Sequence, residues 1–283
     1  MESIDKPPII AALAEWEKDD LAKAKDLLEN PRLAIRLANT IGSPLEKGFA
    51  LLPKGWSRVV NKATHMALMK SLSVAVATLG RRRRHSGSRE LLHKVMAGTS
   101  GGVGGAFGFA ALPIELPVST IIMLRSIADV AASEGHDLAL VETKLACLEV
   151  FALGGKGTAA ENAYWATRAA LSQTISEAAA YLAQKGAVRE GAPAIARFVA
   201  QIASRFGVVV SEEMAAKAAP ILGAVGGGVI NVLFTAHFQD MARGHFIVKR
   251  LEAKYGQEAI RAAYGQIRVQ ADANVLITSG QKK

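Results

Sequence analysis

Two long stretches almost free of charge constrain this chain more than anything else in it. From Val95 to Leu124 the only Asp, Glu, Lys or Arg is Glu115, and from Ala218 to Gln239 there is none. Each exceeds the roughly 20 residues that cross a bilayer, so length alone permits spanning. Both are diluted with Gly, Ala, Ser and Thr rather than filled with Leu and Ile, and Pro113 and Pro117 interrupt the first on either side of Glu115. That composition favours a buried or interfacial helical hairpin over a pair of spanning helices. Gly101, Gly104, Gly105 and Gly108 in the first stretch, and Gly223 and Gly227 in the second, supply pairs spaced by four that put small residues on one helix face. Glycine costs about 1 kcal/mol per position in a helix interior relative to alanine, and close packing is what offsets it. Two glycine-rich apolar helices packed against each other are therefore expected.

The rest of the chain reads as helix almost throughout, so the fold class is all-α, a single multi-helix domain. Half of the 283 residues are hydrophobic and mean hydropathy is +0.20, which excludes disorder. The first helix is predicted from Pro7-Pro8 to about Leu28, and a long one from Gly55 to Leu79, stopped by Gly80. Ser88 is the next N-cap signal. Pro117 is read as opening a helix to Glu134 with Gly135 as stop, and Asp137 as capping another through Leu153, halted at Gly154-Gly155. Helices follow over about 158–184 and 193–206. Ser211 is read as capping a segment to Pro220, and Val208–Val210 is the one plausible strand. A glycine-to-charged helix from about Ile221 to Gly256 and a short one over "QEAIRAAYGQI" complete the pattern. The chain divides into an N-terminal helical region over 1–87 that ends in an arginine-rich loop, a helical core over 88–270, and a polar tail over 271–283.

Glycine motifs that signal chemistry fail on context. Gly98-Thr99-Ser100-Gly101-Gly102 fits G-x-S-x-G, but a nucleophile elbow needs a strand before the serine, and "SRELLHKVMA" is a polar-faced helix pattern. The same glycines, with Tyr181 and Lys185 four apart, echo a nucleotide-binding enzyme, yet no alternating β and α units supply the sheet. No cofactor and no metal are expected. The single Cys147 fits a reducing compartment, and the acidic N-terminus lacks the basic start of an export signal. The net charge of +9 attracts polyanions. Arg81, Arg82, Arg83, Arg84 and Arg89 in "RRRRHSGSR" are the candidate contact for anionic lipid. Nucleic acid is disfavoured, because no aromatic residues interleave these arginines for base stacking.

"GGVGGAFGFAALPIELPVSTIIMLRSIADVAASEGHDL", "ACLEVFALGG" and "GAVGGGVINVLFTAHFQDMARGHFIVKRLEAKYG" together resemble the EcsC family of bacterial proteins over about Leu91 to Gly256. The family takes its name from a reading frame beside an ABC-transporter pair, and some members carry a peptidase label. The resemblance implies a membrane-protein context and supplies no mechanism.

Chemistry must then come from polar residues set among apolar ones. Glu115, Arg125, Asp129, Glu149 and Asn231 are predicted to form a buried structural network, with Arg125 and Asp129 at ion-pair spacing on one helix. His237, Asp240 and His245 share the last long helix, but His245 lies about 80° round from His237, which does not match a paired zinc motif. The function expected is membrane-associated binding or regulation, acting on anionic lipid or a membrane-protein partner. The site would be cytoplasmic and peripheral to the inner membrane, with an integral arrangement left open. The alternative is a hydrolase, peptidase-like and metal-dependent in one form, that uses Glu115, Glu149, His237 and Asp240.

Overall fold

The computed structural model describes residues 12–29, 33, 36–38, 45–80, 112–154, 163–218 and 223–267, without the side chains of 223–227. The described residues are helical and contain no strand, so the protein is all-α. The helices are α1 (Glu15–Glu29), α2 (Leu45–Leu51), α3 (Trp56–Thr78), α4 (Leu112–Ser133), α5 (Val141–Glu149), α6 (Ala163–Lys185), α7 (Pro193–Ala218), α8 (Gly223–Tyr255) and α9 (Gln257–Gln266). Gly80, Gly135 and Gly256 stop their helices with positive φ, as glycine at that position allows.

Several boundaries differ from the sequence reading. Helix α1 starts at Glu15, later than Pro8. Helix α4 starts at Leu112 and carries Pro117 inside. Pro113 sits in the first turn, where no intrahelical N–H is needed, so only one backbone bond is lost at Pro117. Asp137 caps no helix; its Oδ1 accepts from the Ala139 N–H at 2.8 Å, and Leu140 precedes α5. The predicted break at Ser211 is absent. Its hydroxyl donates to the Gly207 carbonyl at 2.6 Å within one continuous α7, and Val208–Val210 are helical. Burial of Val209 and Val210 beside Ile202 and Phe206 outweighs their strand preference.

Cross-contacts fix the topology. Gln239 Nε2 donates to Ser126 Oγ at 2.6 Å, His136 meets the Phe246 carbonyl at 3.0 Å, and Arg250 meets Glu134 at 3.3 Å. Helices α4 and α8 are therefore parallel and in register. Helix α3 packs along α4, and its stop at Gly80 lies against Leu138 and Ala139 just beyond α4, so α3 runs the same way. Helix α7 runs against them, because Lys217 near its end reaches Glu115 at the start of α4. Helix α1 is antiparallel to α8, tied by Lys254 to Glu17 and by Arg250 to Asp20. The Lys254 ammonium and the Tyr255 hydroxyl hold the Glu17 carboxyl down to about 2.

One hydrophobic core runs from Leu13 on the N-terminal side to Tyr264 near the end, so the helices on both sides of residue 88 share it. Its centre is aromatic: Phe151, Phe206, Phe234 and Phe238 meet at centroid distances of 4.9 to 6.1 Å.

The expected mutual packing of Gly101, Gly104, Gly105 and Gly108 with Gly223 and Gly227 lies outside the described residues, except that 223 and 227 are helical. Arg81, Arg82, Arg83, Arg84 and Arg89, the Ser88 cap and Ser100 lie outside them as well. Among the described residues one helix, α7, is long and apolar enough to cross a membrane by length and composition. It is not one of the two uncharged stretches, and 44% of its most apolar window is buried inside the protein.

Candidate functional site

The residues singled out from sequence do not converge. Arg125 is exposed, because the buried stripe of α4 passes through Met123, Leu124, Ile127, Ala128 and Ala131 and leaves position 125 facing out. Asp129 is half-buried, so the pair is not the buried one expected. Asn231 is buried on α8. Asp240 is partly exposed and faces Arg36 at 3.6 Å. His237 is buried against Gly154, whose φ of +80° and missing Cβ make room for the ring. A Cβ there would sit 2.5 Å from His237 Nε2, which has no hydrogen-bond partner. Burial, with Arg36 nearby, pushes His237 down to about 4, so the ring is neutral near pH 7.

Glu149 belongs to a second buried group eight residues farther along α8, about 12 Å by helix rise. Its Oε2 lies 3.4 Å from His245 Nε2, and His245 Nδ1 lies 3.1 Å from the Tyr164 hydroxyl. Arg168 donates to that hydroxyl at 3.3 Å and clamps Glu252 through two bonds of 2.6 and 2.9 Å. A neutral His245 fits this arrangement: the Tyr164 hydroxyl accepts from Arg168 and donates to Nδ1, and Nε2 faces Glu149 at 3.4 Å without a well-formed hydrogen bond. Burial pushes His245 down to about 4 and pushes the Tyr164 hydroxyl upward. The side-chain types are those of acid–base chemistry, but Tyr164, His245 and Glu149 are all buried, and Trp165 and Tyr264 pack on the Tyr164 ring. The group acts as a clasp that joins α5, α6 and α8. Sequence reading found Glu149 and His245 but missed Tyr164, Arg168 and Glu252, which lie in an unremarkable alanine-rich helix and a charged helix end.

Glu115 belongs to a third place. Lys217 Nζ lies 2.7 Å from Glu115 Oε1 and 2.9 Å from Glu213 Oε1, with all three side chains almost fully buried. Burial works against the Lys217 charge, and the two carboxylates more than reverse it, so its pKa rises. Burial raises Glu213, and Lys217 only partly counters that. In the register set by Ser126 and Gln239, Glu115 is level with about residue 228 of α8, roughly 13 Å below His237. Of the four residues proposed for hydrolysis, Glu115 and Glu149 have separate partners and lie apart from His237 and Asp240, which share Arg36 as a neighbour. Among the described residues no three or more His, Cys, Asp or Glu side chains are grouped as a metal site needs.

This ion cluster marks one end of the bundle, where α2, the starts of α3, α4 and α8, and the end of α7 come together. Gly48 of α2 lies against the Ala215 backbone, and Gly207 of α7 is beside Asn61 of α3. Large apolar side chains face solvent here: Ile114 is 77% exposed, Leu51 56%, Val118 49% and Val229 44%. Those are four of the seven large exposed hydrophobics among the described residues; Val208 lies farther up α7, and Trp16 and Leu140 lie elsewhere. The described parts of both uncharged stretches include the starts of α4 and α8, which lie at this end. Apolar side chains left exposed are the informative departure from an ordinary polar surface. Sequence reading found the stretches but not Leu51 or the Lys217 partner.

The family model described as the EcsC protein family matches residues 9–251. No curated protein and no solved structure matches the chain.

Proposed function

The chain belongs to the EcsC family, and we propose that it is a peripheral membrane-binding protein on the cytoplasmic side, acting in a regulatory or scaffolding role at a bilayer. The observation that carries this reading is the apolar end formed by Leu51, Ile114, Val118 and Val229. Burying an exposed Ile or Val side chain in hydrocarbon is worth about 1.5–3 kcal/mol each, so a few such residues are enough for reversible association. Glu115 supports it too. A lone carboxylate among lipid-facing residues would oppose insertion, and Lys217 pairs with this one from inside the bundle. The hydrolase alternative has no comparable support, since Glu115 and Glu149 are engaged with other partners, away from each other and from His237 and Asp240.

Co-sedimentation with lipid vesicles tests the proposal. Ile114→Asp combined with Val118→Asp changes two exposed side chains and should leave the fold intact, while lowering vesicle partition by at least about tenfold on neutral and anionic lipid alike. Absence of vesicle binding by the parent, or equal binding by the variant, overturns the reading.

A further inference from the structure

The net positive charge of this chain is confined to one segment. Residues 47–89 hold ten Lys and Arg and no Asp or Glu, whereas the other 240 residues hold 24 basic and 25 acidic side chains and are close to neutral. Part of that segment is described. Lys47, Lys54, Arg58, Lys62 and Lys70 are exposed on α2, the turn after it and α3, and among the described residues none of them pairs with an acid. Several helical basic residues elsewhere are matched: Arg168 with Glu252, Lys217 with Glu115 and Glu213, Arg250 with Asp20 and Glu134, Lys254 with Glu17. On α3, Arg58, Lys62 and His65 fall within an arc of about 60° at 100° per residue. They point away from the buried stripe of Val60, Ala63, Thr64 and Ala67.

We propose that this outward face, Lys54, Arg58 and Lys62 with the neighbouring Lys47, is a binding surface for the headgroups of anionic phospholipid. The inference rests on the membrane reading above and names its lipid class. Unpaired basic side chains beside an apolar end are complementary to a bilayer that offers phosphates above hydrocarbon, and Leu51 sits between Lys47 and Lys54 on the same end. A nucleic acid fits less well. The aromatic residues that would stack on bases, Phe49 and Trp56, are half-buried and packed on each other at 5.8 Å.

The test compares vesicles of phosphatidylcholine alone with vesicles that also contain phosphatidylglycerol, at low salt. The parent should bind the anionic vesicles more tightly, and the triple variant Lys54→Gln, Arg58→Gln, Lys62→Gln should lose roughly a hundredfold on them while keeping its weak binding to neutral vesicles. A control triple at Lys23, Lys185 and Arg189, exposed on other helices or loops, should lose far less. Equal parent binding to both vesicle types overturns this inference and leaves the membrane reading standing, whereas no parent binding to either overturns both. The inference also fails if the control triple loses as much as the α3 triple. It fails if replacing Arg81–Arg84 with Ser removes all anionic preference while the α3 triple keeps it. Tighter binding to a duplex oligonucleotide that strips the protein from vesicles overturns it as well.

Discussion

Lys217 holds two carboxylates that no other described cation reaches in the Glu115 and Glu213 cluster, and the three side chains are nearly dry. Removing the ammonium leaves two buried like charges, which is the costly half of any buried ion pair. Lys217→Met should therefore destabilise the protein by about 3–5 kcal/mol in urea unfolding, while Glu115→Gln should cost clearly less because Lys217 keeps Glu213. Equal unfolding midpoints for parent and Lys217→Met would show that the cluster is hydrated. Glu115 was legible in the sequence, as the one charge in a long apolar run. Its partner lies 102 residues away, and nothing in local spacing joins the two. The i,i+4 spacing of Glu213 and Lys217 is a readable signal, but the cap signal at Ser211 sets that segment apart from the rest of α7. Arg125 and Asp129 show the reverse error: apolar neighbours in sequence were read as burial, although the helix turns Arg125 to solvent.

Helix ends were the most legible elements, since Gly80, Gly135, Gly154 and Gly256 all take the positive φ that a stop signal implies. Helix interiors were less so. Ser211 and three valines looked like a boundary, and only burial against neighbouring helices shows that α7 runs through. Helix α2 is another case in which tertiary contact decides. It is too short to persist alone, and its place depends on Gly48, where a Cβ would lie 2.0 Å from the Ala215 carbonyl oxygen of α7. The obstacle is backbone and cannot swing aside, so Gly48→Ala should cost about 1–3 kcal/mol in denaturant unfolding by forcing α2 off α7. Gly265→Ala is the matched control. A Cβ there meets nothing within 4 Å, and the change should be neutral or stabilising by up to about 1 kcal/mol. Equal effects at the two sites would mean that α2 is not held at this contact. The same substitution in the Gly101 to Gly108 run tests the packing of the glycine helices, which only the sequence addresses.

For the molecule as a whole, the helical class and the family were legible because periodicity and a few long phrases carry both, whereas the clasp that holds the bundle was not. That clasp and the neighbouring His237 set how stability responds to acid. Burial lowers both His237 and His245 from 6.5 to about 4. Between those values the unfolded chain binds protons that the folded one refuses, so stability is full near neutrality and falls as pH drops through the window. Burial lowers His136 too, which acts in the same direction. Burial raises Glu134 and Glu213, so they take protons more readily when folded and offset part of the loss just above the usual carboxyl range. Glu17, held down to about 2, adds its own loss only at lower pH. The net expectation is a decline of a few kcal/mol in unfolding free energy between about pH 6.5 and pH 4.5. His237→Leu separates the histidine term from the rest: it keeps an apolar side chain against Gly154 and gives up at most a weak contact with the Gly154 backbone, so the variant should stay folded and show a shallower decline than the parent. A flat profile in the parent, or an identical slope in His237→Leu, would mean that the ring is protonated in the folded protein and that water reaches it.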